Sequence, residues 1–370
     1  MIIFRYLSKQ ILQIMLAVTL ILLVVGLTSR FIQYLGQAVA GDFSSSVLLS
    51  LVLFRLPDFL MVIVPLALFL GILLAYGRMY AENEMIILLS SGFSEFRLLL
   101  TTWASAGFAM VFVAILSLLL APWGMRNIEQ IKQDQSQLTE IDLVVPGQFQ
   151  VFAGGDRVTY VERTTSRNGD GRRLENVFVA VNAKTSDPAN SFPRILLANS
   201  ARAETDPQTG ARFMRLEDVV QYDGAPGGVE FSVGQFDTQA LLLPEPVSYE
   251  PDLAEVMIRT ADLLGSSERS HVAELQWRFS MILLIPVITL IAVPLSRVNP
   301  RQGQYSKLVT AALIYATYFI LLQFAKERVA SGEFPASIGI WWVHGLYIVI
   351  GWVIYRFPNV GNWLAIGGSK

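Results

Sequence analysis

Long apolar segments alternate with charged positions along this chain, three of them before and three after a polar block over residues 126–270. The six segments run between Lys9 and Arg30, Asp58 and Arg78, Arg97 and Arg126, Arg278 and Arg297, Lys307 and Lys326, and Glu333 and Arg356. A bilayer core is about 30 Å thick and is crossed by about 20 apolar residues in a helix. Because backbone polar groups find no water there, each segment is predicted to be helical. The pattern therefore predicts six transmembrane helices in a three-plus-three arrangement.

The polar block between these two sets has a different period. Apolar and polar residues alternate in Gln148–Phe152, Arg157–Glu162 and Glu230–Val233, and Leu174–Val181 and Ile195–Ala198 are also strand-like. Glycine-rich turn signals separate the strands, as in Asn168–Gly171 and Gly224–Gly228. Short strands with such turns predict an all-β domain of the sandwich or jelly-roll type. Flanking segments at residues 125–140 and 252–264 are predicted to be helical connectors to the membrane.

The resulting fold class is a membrane α-helical protein with an inserted all-β, jellyroll-like domain. Transmembrane helices 1–3 are assigned to residues 1–125, the β-domain with its connectors to residues 126–270, and helices 4–6 with a short tail to residues 271–370. Lys and Arg in the short connections are concentrated on the side of the N-terminus, for example at Arg78 and Arg97. The positive-inside rule then predicts cytoplasmic termini and a β-domain outside the membrane.

Composition narrows the function classes. Hydrophobic residues make up 53% of the chain and charged residues 16%, against about 25% charged in a typical soluble domain. The net charge of -2 gives no basic surface for nucleic acid. The sequence has no cysteine and two histidines, which excludes disulfides, thiolate catalysis and a histidine metal cluster. It also has no Walker A, G-x-S-x-G or H-E-x-x-H motif, so ATP hydrolysis in this chain is not expected.

The connection between the second and third spans, residues 79–92, is the first candidate functional segment. Glu82 and Glu84 lie at its start, where acidic side chains favour the helix dipole, and Gly92 is suited to end a helix. Apolar residues follow the acidic ones. Such a helix is suited either to dock in a groove on a partner protein or to lie on the surface of the bilayer. The sequence supports these two interpretations about equally.

The loop Pro294–Gly303 is the second candidate segment. A basic, proline-broken turn that obeys the positive-inside rule explains its arginines. It does not explain the rest of the pattern, Pro294-Leu295-Ser296 followed by Asn299-Pro300-Arg301-Gln302-Gly303.

Together these segments resemble the lipopolysaccharide-export permeases of the YjgP/YjgQ family, membrane subunits of a bacterial ABC transporter. The resemblance covers nearly the whole chain and is carried by Met1–Leu7, Pro65–Gly71, the Glu82-x-Glu84 helix, Ala273–Arg278, Val293–Ser296 and Asn299–Gly303. The stretch from Val293–Ser296 through Asn299–Gly303 favours the F-type subunit over its G-type paralogue.

The resemblance implies a set of partners and a division of labour. The chain would pair with a G-type permease in the inner membrane, both termini in the cytoplasm and the β-domain in the periplasm. A homodimeric cytoplasmic ATPase would bind ATP and Mg²⁺, so this chain needs no cofactor of its own. Lipopolysaccharide would leave the outer leaflet of the inner membrane and pass through the β-domain to a membrane-anchored periplasmic jellyroll bridge component.

The resemblance also suggests site residues. Glu82, Glu84, Met85, Ile86 and Leu88 would form the coupling helix that docks on the ATPase. Arg30, Lys326 and Arg328, at the outer ends of spans one and five, would contact lipid phosphates; the alternative for each is an interfacial snorkelling anchor. One basic family position is Gln33 here, which leaves the charge pattern of the site open.

Three further expectations concern the β-domain, the fourth span and function. Phe149 and Val151 are predicted to line an apolar lumen, next to an open strand edge. Glu274 and Arg278, spaced i,i+4, are expected to form a helix-stabilising pair rather than a substrate site. The leading function is the ATP-driven lipid exporter. A membrane-anchored scaffold that recruits a periplasmic partner is the alternative, and a lipid-modifying enzyme is disfavoured because no nucleophile–base pair is present.

Overall fold

The structure, a computed structural model, divides into two compact units. The helical unit comprises Met1–Thr28, Leu53–Asn127 and Asp252–Lys370, and the sheet unit comprises Ser29–Val52 and Ile128–Pro251. The residues described are 2–39, 44–136, 144–152, 156–166, 172–182, 193–206, 209, 211–224, 231–243, 254–297 and 307–357.

Ten α-helices occur in the described ranges. They are α1 (Ile2–Val39), α2 (Leu48–Ala81), α3 (Glu84–Ser90), α4 (Glu95–Ile115), α5 (Ala121–Ser136), α6 (Ala254–Met257), α7 (Thr260–Leu263), α8 (Arg269–Leu295), α9 (Leu308–Ala330) and α10 (Trp341–Arg356). A π-helical segment, Leu116–Leu120, joins α4 to α5 without a break, so the third apolar segment continues well beyond the membrane width. Helix α5 and the short helices α6 and α7 lie where the helical connectors were predicted.

Among the described helices, five are long and apolar enough to cross a membrane: α1, α2, the α4–α5 run, α8 and α9. The sixth predicted segment becomes α-helical only at Trp341, because turns closed on the Pro335 carbonyl occupy the residues before it. The 16 residues of α10 span about 24 Å at 1.5 Å per residue, which is short for a bilayer crossing. The membrane-helical part of the predicted fold is confirmed, with a last helix shorter than predicted.

Helix α8 lies at the centre of the helical unit. Most of its residues are buried, and it packs against α4, α9 and α10. Pro286 and Pro294 lie inside it, and the indole Nε1 of Trp103 on α4 donates to the Pro286 carbonyl at 3.1 Å. Helix α1 is far less buried than α8, since only 6% of its most apolar 18-residue stretch is buried within the structure. An apolar helix with so little internal packing is suited to contact lipid or a second membrane protein.

The sheet unit contains one antiparallel sheet of six described strands. They are β1 (Phe149–Phe152), β2 (Arg157–Ser166), β3 (Arg172–Val181), β4 (Arg194–Thr205), β5 (Arg212–Gly224) and β6 (Phe231–Leu242). Each strand pairs with its neighbours in sequence, in the order β1-β2-β3-β4-β5-β6. The predicted β-domain is therefore confirmed, while the described strands form a meander without the Greek-key crossovers of a jelly roll.

Strand β5 is the strand that the sequence pattern missed. Met214 and Leu216 are buried, and after Asp218 the buried positions change phase to Val219 and Gln221. Asp218 has a positive φ of 52°, which disturbs the regular alternation of side chains. This shift breaks the period-two alternation of β5; β3 has a similar shift at Asn176, but its continuous apolar run Val177–Val181 still marks it as a strand.

The two faces of the sheet differ. One face carries a buried core whose members are Phe152, Val161, Leu174, Val177, Val179, Leu196, Ala198, Ala201, Met214, Leu216 and Val219. The other face, here called the open face, carries large apolar side chains that remain exposed: Phe149, Val151, Ile195, Leu197, Tyr222, Phe231 and Val233. Exposed apolar patches of this kind mark binding surfaces.

A glycine sets how closely α2 and α5 approach. An added Cβ at Gly124 would lie 2.2 Å from the Phe54 carbonyl oxygen. We expect Gly124→Ala to destabilise the protein by about 1–3 kcal/mol, because the two backbones must separate. Thermal unfolding in detergent, followed by tryptophan fluorescence, measures this loss. Gly107→Ala on α4 is the matched control, since no atom lies within 4 Å of its added Cβ; equal midpoints for the two variants would contradict the close-approach argument.

Candidate functional site

Helix α3 is a separate short helix between α2 and α4. Asn83 adopts a left-handed conformation with φ 62°, which ends α2 and redirects the chain. Glu84 lies in the first turn of α3, where its charge favours the helix dipole. Gly92, with φ 92°, follows the last turn, as the sequence pattern predicted. Glu82 lies in the exposed turn before the helix rather than within it.

The side chains of α3 divide into an anchoring face and an exposed face. Met85 is fully buried in the core of the helical unit, and Leu88 packs against that core. Ile86 and Ile87 are exposed. Of the predicted coupling-helix residues, Met85 therefore holds the helix on the bundle and does not contribute to its exposed face. Ile87, which the sequence analysis did not select, has the more exposed apolar side chain of the two isoleucines.

Glu84 is connected to α1. The hydroxyl of Tyr6 donates to its Oε2 at 2.7 Å. Close by in the chain, Glu95 at the start of α4 forms an ion pair with Arg297, at 2.5 Å, just after the end of α8. Both candidate segments therefore contact helix ends: Glu84 of the first contacts α1, and Arg297 of the second contacts the start of α4. Residues 298–303 of the second segment lie outside the described residues.

A charged cavity of about 360 Å³ lies within the helical unit. Its lining includes residues from the N-terminal parts of α2 and α8 and from the C-terminal part of α9, whereas α3 follows the C-terminal end of α2. Its charged lining residues are Arg55, Asp58, Glu255, Glu274, Arg278, Lys326 and Glu327. Apolar lining comes from residues such as Met61, Ala121 and Trp277. Charged groups this close to the apolar part of membrane helices are costly and are functional candidates.

Arg278 is the most buried charge of this cavity, and all five of its N–H groups find acceptors. Nε donates to Glu274 Oε1 at 2.9 Å. The two terminal nitrogens donate to the carbonyl oxygens of Glu255, Val256 and Ile258 and to the Thr260 hydroxyl, at 2.8–3.3 Å. Because three of these acceptors are backbone atoms of α6 and the residue after it, Arg278 fixes the connector that precedes α8.

The π-helical segment joins the same network. Ser117 donates to the Arg278 carbonyl at 2.9 Å, and Thr260 donates to the Leu118 carbonyl at 2.6 Å. These bonds connect the α4–α5 run, the connector and α8. Short π-helical segments often occur at functional sites, where they present side chains that a regular helix would turn away.

Glu274 bridges Arg278 to Lys326. Its Oε1 accepts from Arg278, and its Oε2 accepts from Lys326 Nζ at 2.7 Å. The i,i+4 pair between Glu274 and Arg278 that the spacing predicted is formed, and it is buried, since the two side chains are 3% and 2% exposed. Lys326 is 29% exposed and lies over the Trp277 ring, with Nζ 5.3 Å from its centroid. Of the three basic residues selected from the sequence, Lys326 is the one that lines this cavity.

The other two basic residues have different surroundings. Arg328 forms an ion pair with Glu333 and lies over the Phe324 ring, 5.0 Å from its centroid. Arg30 belongs to the sheet unit and donates to Gln33 Oε1 at 2.6 Å. Gln33, which occupies the position where the family resemblance suggests a basic residue, is thus a direct neighbour of Arg30.

Phe149 and Val151 lie on the open face of the sheet. Across the strands, Phe149 pairs with Tyr160, and its ring centroid lies 4.8 Å from that of Tyr160 and 5.9 Å from that of Phe178. Val151 continues the same face one pleat further. The buried core side of β1 is represented by Phe152 instead. The lumen predicted from the sequence therefore corresponds to an exposed apolar surface in this structure.

The far end of the sheet is polar. Arg173 and Ser200 both donate to Glu217 Oε2 at 2.7 Å, and Arg215 pairs with Glu204 at 3.2 Å. The Ser200 hydrogen bond, with support from Arg173, lowers the pKa of Glu217. The members of this network alternate along the strands with the buried Leu174, Ala201 and Leu216 and so lie on the side of the sheet away from the core.

The amino-acid sequence of this chain is similar to known proteins over nearly its whole length. A family model described as lipopolysaccharide export system permease LptF/LptG matches residues 5–356. The lipopolysaccharide export system permease protein LptF of Escherichia coli is 28% identical over 361 residues, which is 97% of this chain and 96% of that protein. The LptF of Shigella flexneri gives the same figures. The permease protein LptG of Haemophilus influenzae is 23% identical over 204 residues, 55% of this chain and 54% of that protein.

The helical unit with its long apolar helices, the inserted antiparallel sheet and the match across residues 5–356 agree with one another. The chain belongs to the LptF/LptG family of lipopolysaccharide export permeases and is of the LptF type.

Proposed function

We propose that this chain is the F-type half of an ATP-driven exporter that takes lipopolysaccharide from the outer leaflet of the inner membrane. Its partner in the membrane is a G-type permease, and both chain termini lie in the cytoplasm. A homodimeric cytoplasmic ATPase binds ATP and Mg²⁺ and supplies the energy. The β-domain lies in the periplasm and passes the lipid to a membrane-anchored bridge component with a jellyroll domain. The family match over residues 5–356 is the observation that carries this proposal.

An external energy source agrees with the chemistry of the chain. The sequence has no Walker A motif. The most buried charges, on Glu274 and Arg278, are paired with each other, and Arg278 is fully hydrogen-bonded. Ion-coupled transporters use intramembrane ionisable groups that change their protonation during transport. A carboxylate held by a guanidinium is poorly suited to that role, which favours an ATPase as the motor.

Helix α3 is the proposed docking element for the ATPase. Its exposed isoleucines, Ile86 and Ile87, offer an apolar ridge, and Glu84 offers a charge beside it. Because the Met85 side chain is buried in the core of the helical unit, a displacement of α3 is transmitted to that core. Because Tyr6 binds Glu84, movement of α3 also reaches α1, the least buried of the long helices.

Lys326 is the proposed phosphate contact in the cavity, with Arg30 as a second basic contact in the sheet unit. An ammonium group on a flexible stem is a common ligand for lipid phosphate, and the Trp277 ring beneath it provides an apolar floor. Arg328 is a weaker candidate because its charge is already paired with Glu333. In the sheet unit, the open face with Phe149 and Val151 is the proposed path for the acyl chains.

Purification of the tagged chain from its native membrane tests the proposal as a whole. We expect a cytoplasmic ATPase, a second permease and lipopolysaccharide to co-purify with it. A chain that is isolated alone, or with periplasmic proteins only, would instead support the membrane-anchored scaffold.

Replacing Glu84 tests the docking role of α3. We expect Glu84→Ala to uncouple ATP hydrolysis from lipid release, because the docked helix loses its proposed charge-assisted contact with the ATPase. Truncation of one partner of such an interface pair costs about 2–5 kcal/mol. ATPase activity and lipid release are measured together in the reconstituted complex. Glu84→Gln separates loss of charge from loss of volume. Normal coupling in both variants would remove Glu84 from the mechanism.

Tyr6→Phe tests the connection between α3 and α1. The change removes the hydroxyl that donates to Glu84 and leaves the ring and the carboxylate in place. We expect the ATPase to bind with unchanged affinity while lipid release per ATP falls severalfold. A loss of ATPase binding, with release per ATP unaltered, would show that Tyr6 serves the docking surface rather than transmission to α1.

Site-specific photo-crosslinking tests the path along the sheet. A benzophenone amino acid at Phe149 or Val151 is expected to capture lipopolysaccharide during ATP-driven transport. Glu204, on the polar end of β4, provides the control position, where little capture is expected. Capture at Glu204 that equals capture at Phe149 would argue against a path confined to the apolar part of the open face.

A further inference from the structure

The three charges Arg278, Glu274 and Lys326 form a chain in which the two ends differ. Arg278 is buried and bound by five acceptors, so it cannot leave without exposing unpaired groups on the connector. Lys326 is 29% exposed at the cavity, and Glu274 is its one hydrogen-bond partner among the contacts of the described residues. Only the Lys326 end of this chain is free to change its partner.

Glu274 can tolerate such a change. Its second oxygen stays bound to Arg278 when Lys326 departs, so a buried carboxylate is not left without a counter-charge. The aliphatic stem of Lys326 can meanwhile keep its contact with the Trp277 ring. The site therefore has two ion-paired arrangements, one with Lys326 on Glu274 and one with Lys326 on an incoming anion.

The rest of the lining does not attract anions strongly. Arg55 lies 3.4 Å from Asp58, and Glu255 and Glu327 add further negative charges to the cavity. A phosphate that reaches Lys326 thus enters a site that is not basic overall. A transport site needs binding that is strong enough for entry and weak enough for departure, and nearby negative charge supplies the second property.

We propose that Glu274 is a positioning residue that competes with the lipid phosphate for Lys326, holding the ammonium group in the empty permease and recovering it when the lipid moves on. The inference rests on the proposed phosphate contact at Lys326. Arg278 keeps the carboxylate in place throughout, so the exchange moves a single lysine side chain. Glu274 consequently sets how tightly a phosphorylated lipid is held and how fast it is released.

The test uses the complete permease–ATPase complex in nanodiscs, with bisphosphorylated lipid A and its enzymatically dephosphorylated form as probes. Glu274→Gln is expected to raise retention of the bisphosphorylated lipid about tenfold and to slow its ATP-driven release, because Lys326 loses its competing partner. Retention of the dephosphorylated lipid should not change. Glu268→Gln is the matched control, since that residue is the N-cap of α8 and its carboxylate is 64% exposed, lies 3.4 Å from His271 and does not line the cavity.

A double variant separates competition from a general charge effect. In a Lys326→Gln background, Glu274→Gln should alter retention less than twofold. An undiminished effect in that background, an equal gain for both lipids, or no gain in an assembled Glu274→Gln complex would each overturn the inference. If Glu274→Gln does not assemble, Glu274→Asp retains the charge for Arg278 but is one methylene too short to bridge both partners, and a smaller gain of the same sign is expected.

The single variant Lys326→Gln distinguishes this inference from the function on which it rests. If it abolishes the preference for phosphorylated lipid while Glu274→Gln has no effect, the exchange is wrong and the phosphate contact stands. If Lys326→Gln leaves the preference intact, the phosphate contact itself is wrong.

Discussion

The neutralisation of Arg278 is the interaction on which the rest of the helical unit depends. A guanidinium buried beside membrane helices is stable only when its charge and all its N–H groups are satisfied. Glu274 supplies the charge, and the connector Glu255–Thr260 supplies the remaining acceptors. This one requirement fixes the chain before α8, aligns it with the π-helical segment and leaves one oxygen of Glu274 for Lys326.

The surfaces that remain available follow from this packing. Most residues of α8 are buried against other helices, whereas α1 leaves most of its apolar residues exposed. Helix α3 is held by Met85 and offers Ile86, Ile87 and Glu84 at one end of the bundle. One face of the sheet carries the buried core, and the open face carries exposed apolar side chains. A permease that collects a lipid, receives work from a partner and passes the lipid on requires a surface for each of these tasks.

Local patterns predicted the elements of the fold, and contacts between distant residues escaped them. Apolar segments bounded by charges identified the spans, because the bilayer requires helices of a certain length. The turn at Gly92 was predicted from its residue type. Strand β5 was missed because Asp218 shifts its alternation. The Glu274–Lys326 contact joins residues 52 positions apart, which local spacing does not reveal. Glu274 was therefore assigned to a helix-stabilising pair with Arg278, and Lys326 was assigned separately to a lipid contact. Burial of Met85 depends on how α3 lies on the bundle, which helix periodicity does not specify.

The central claim is that this chain exports lipopolysaccharide, and depletion of the chain in its native host tests it most directly. Newly made lipopolysaccharide is pulse-labelled, and inner and outer membranes are separated at intervals after depletion. The account predicts that labelled lipopolysaccharide accumulates in the inner membrane and that a plasmid copy of the gene restores its delivery. Arrival of labelled lipopolysaccharide in the outer membrane at the normal rate, with the chain verified as absent, would contradict the account.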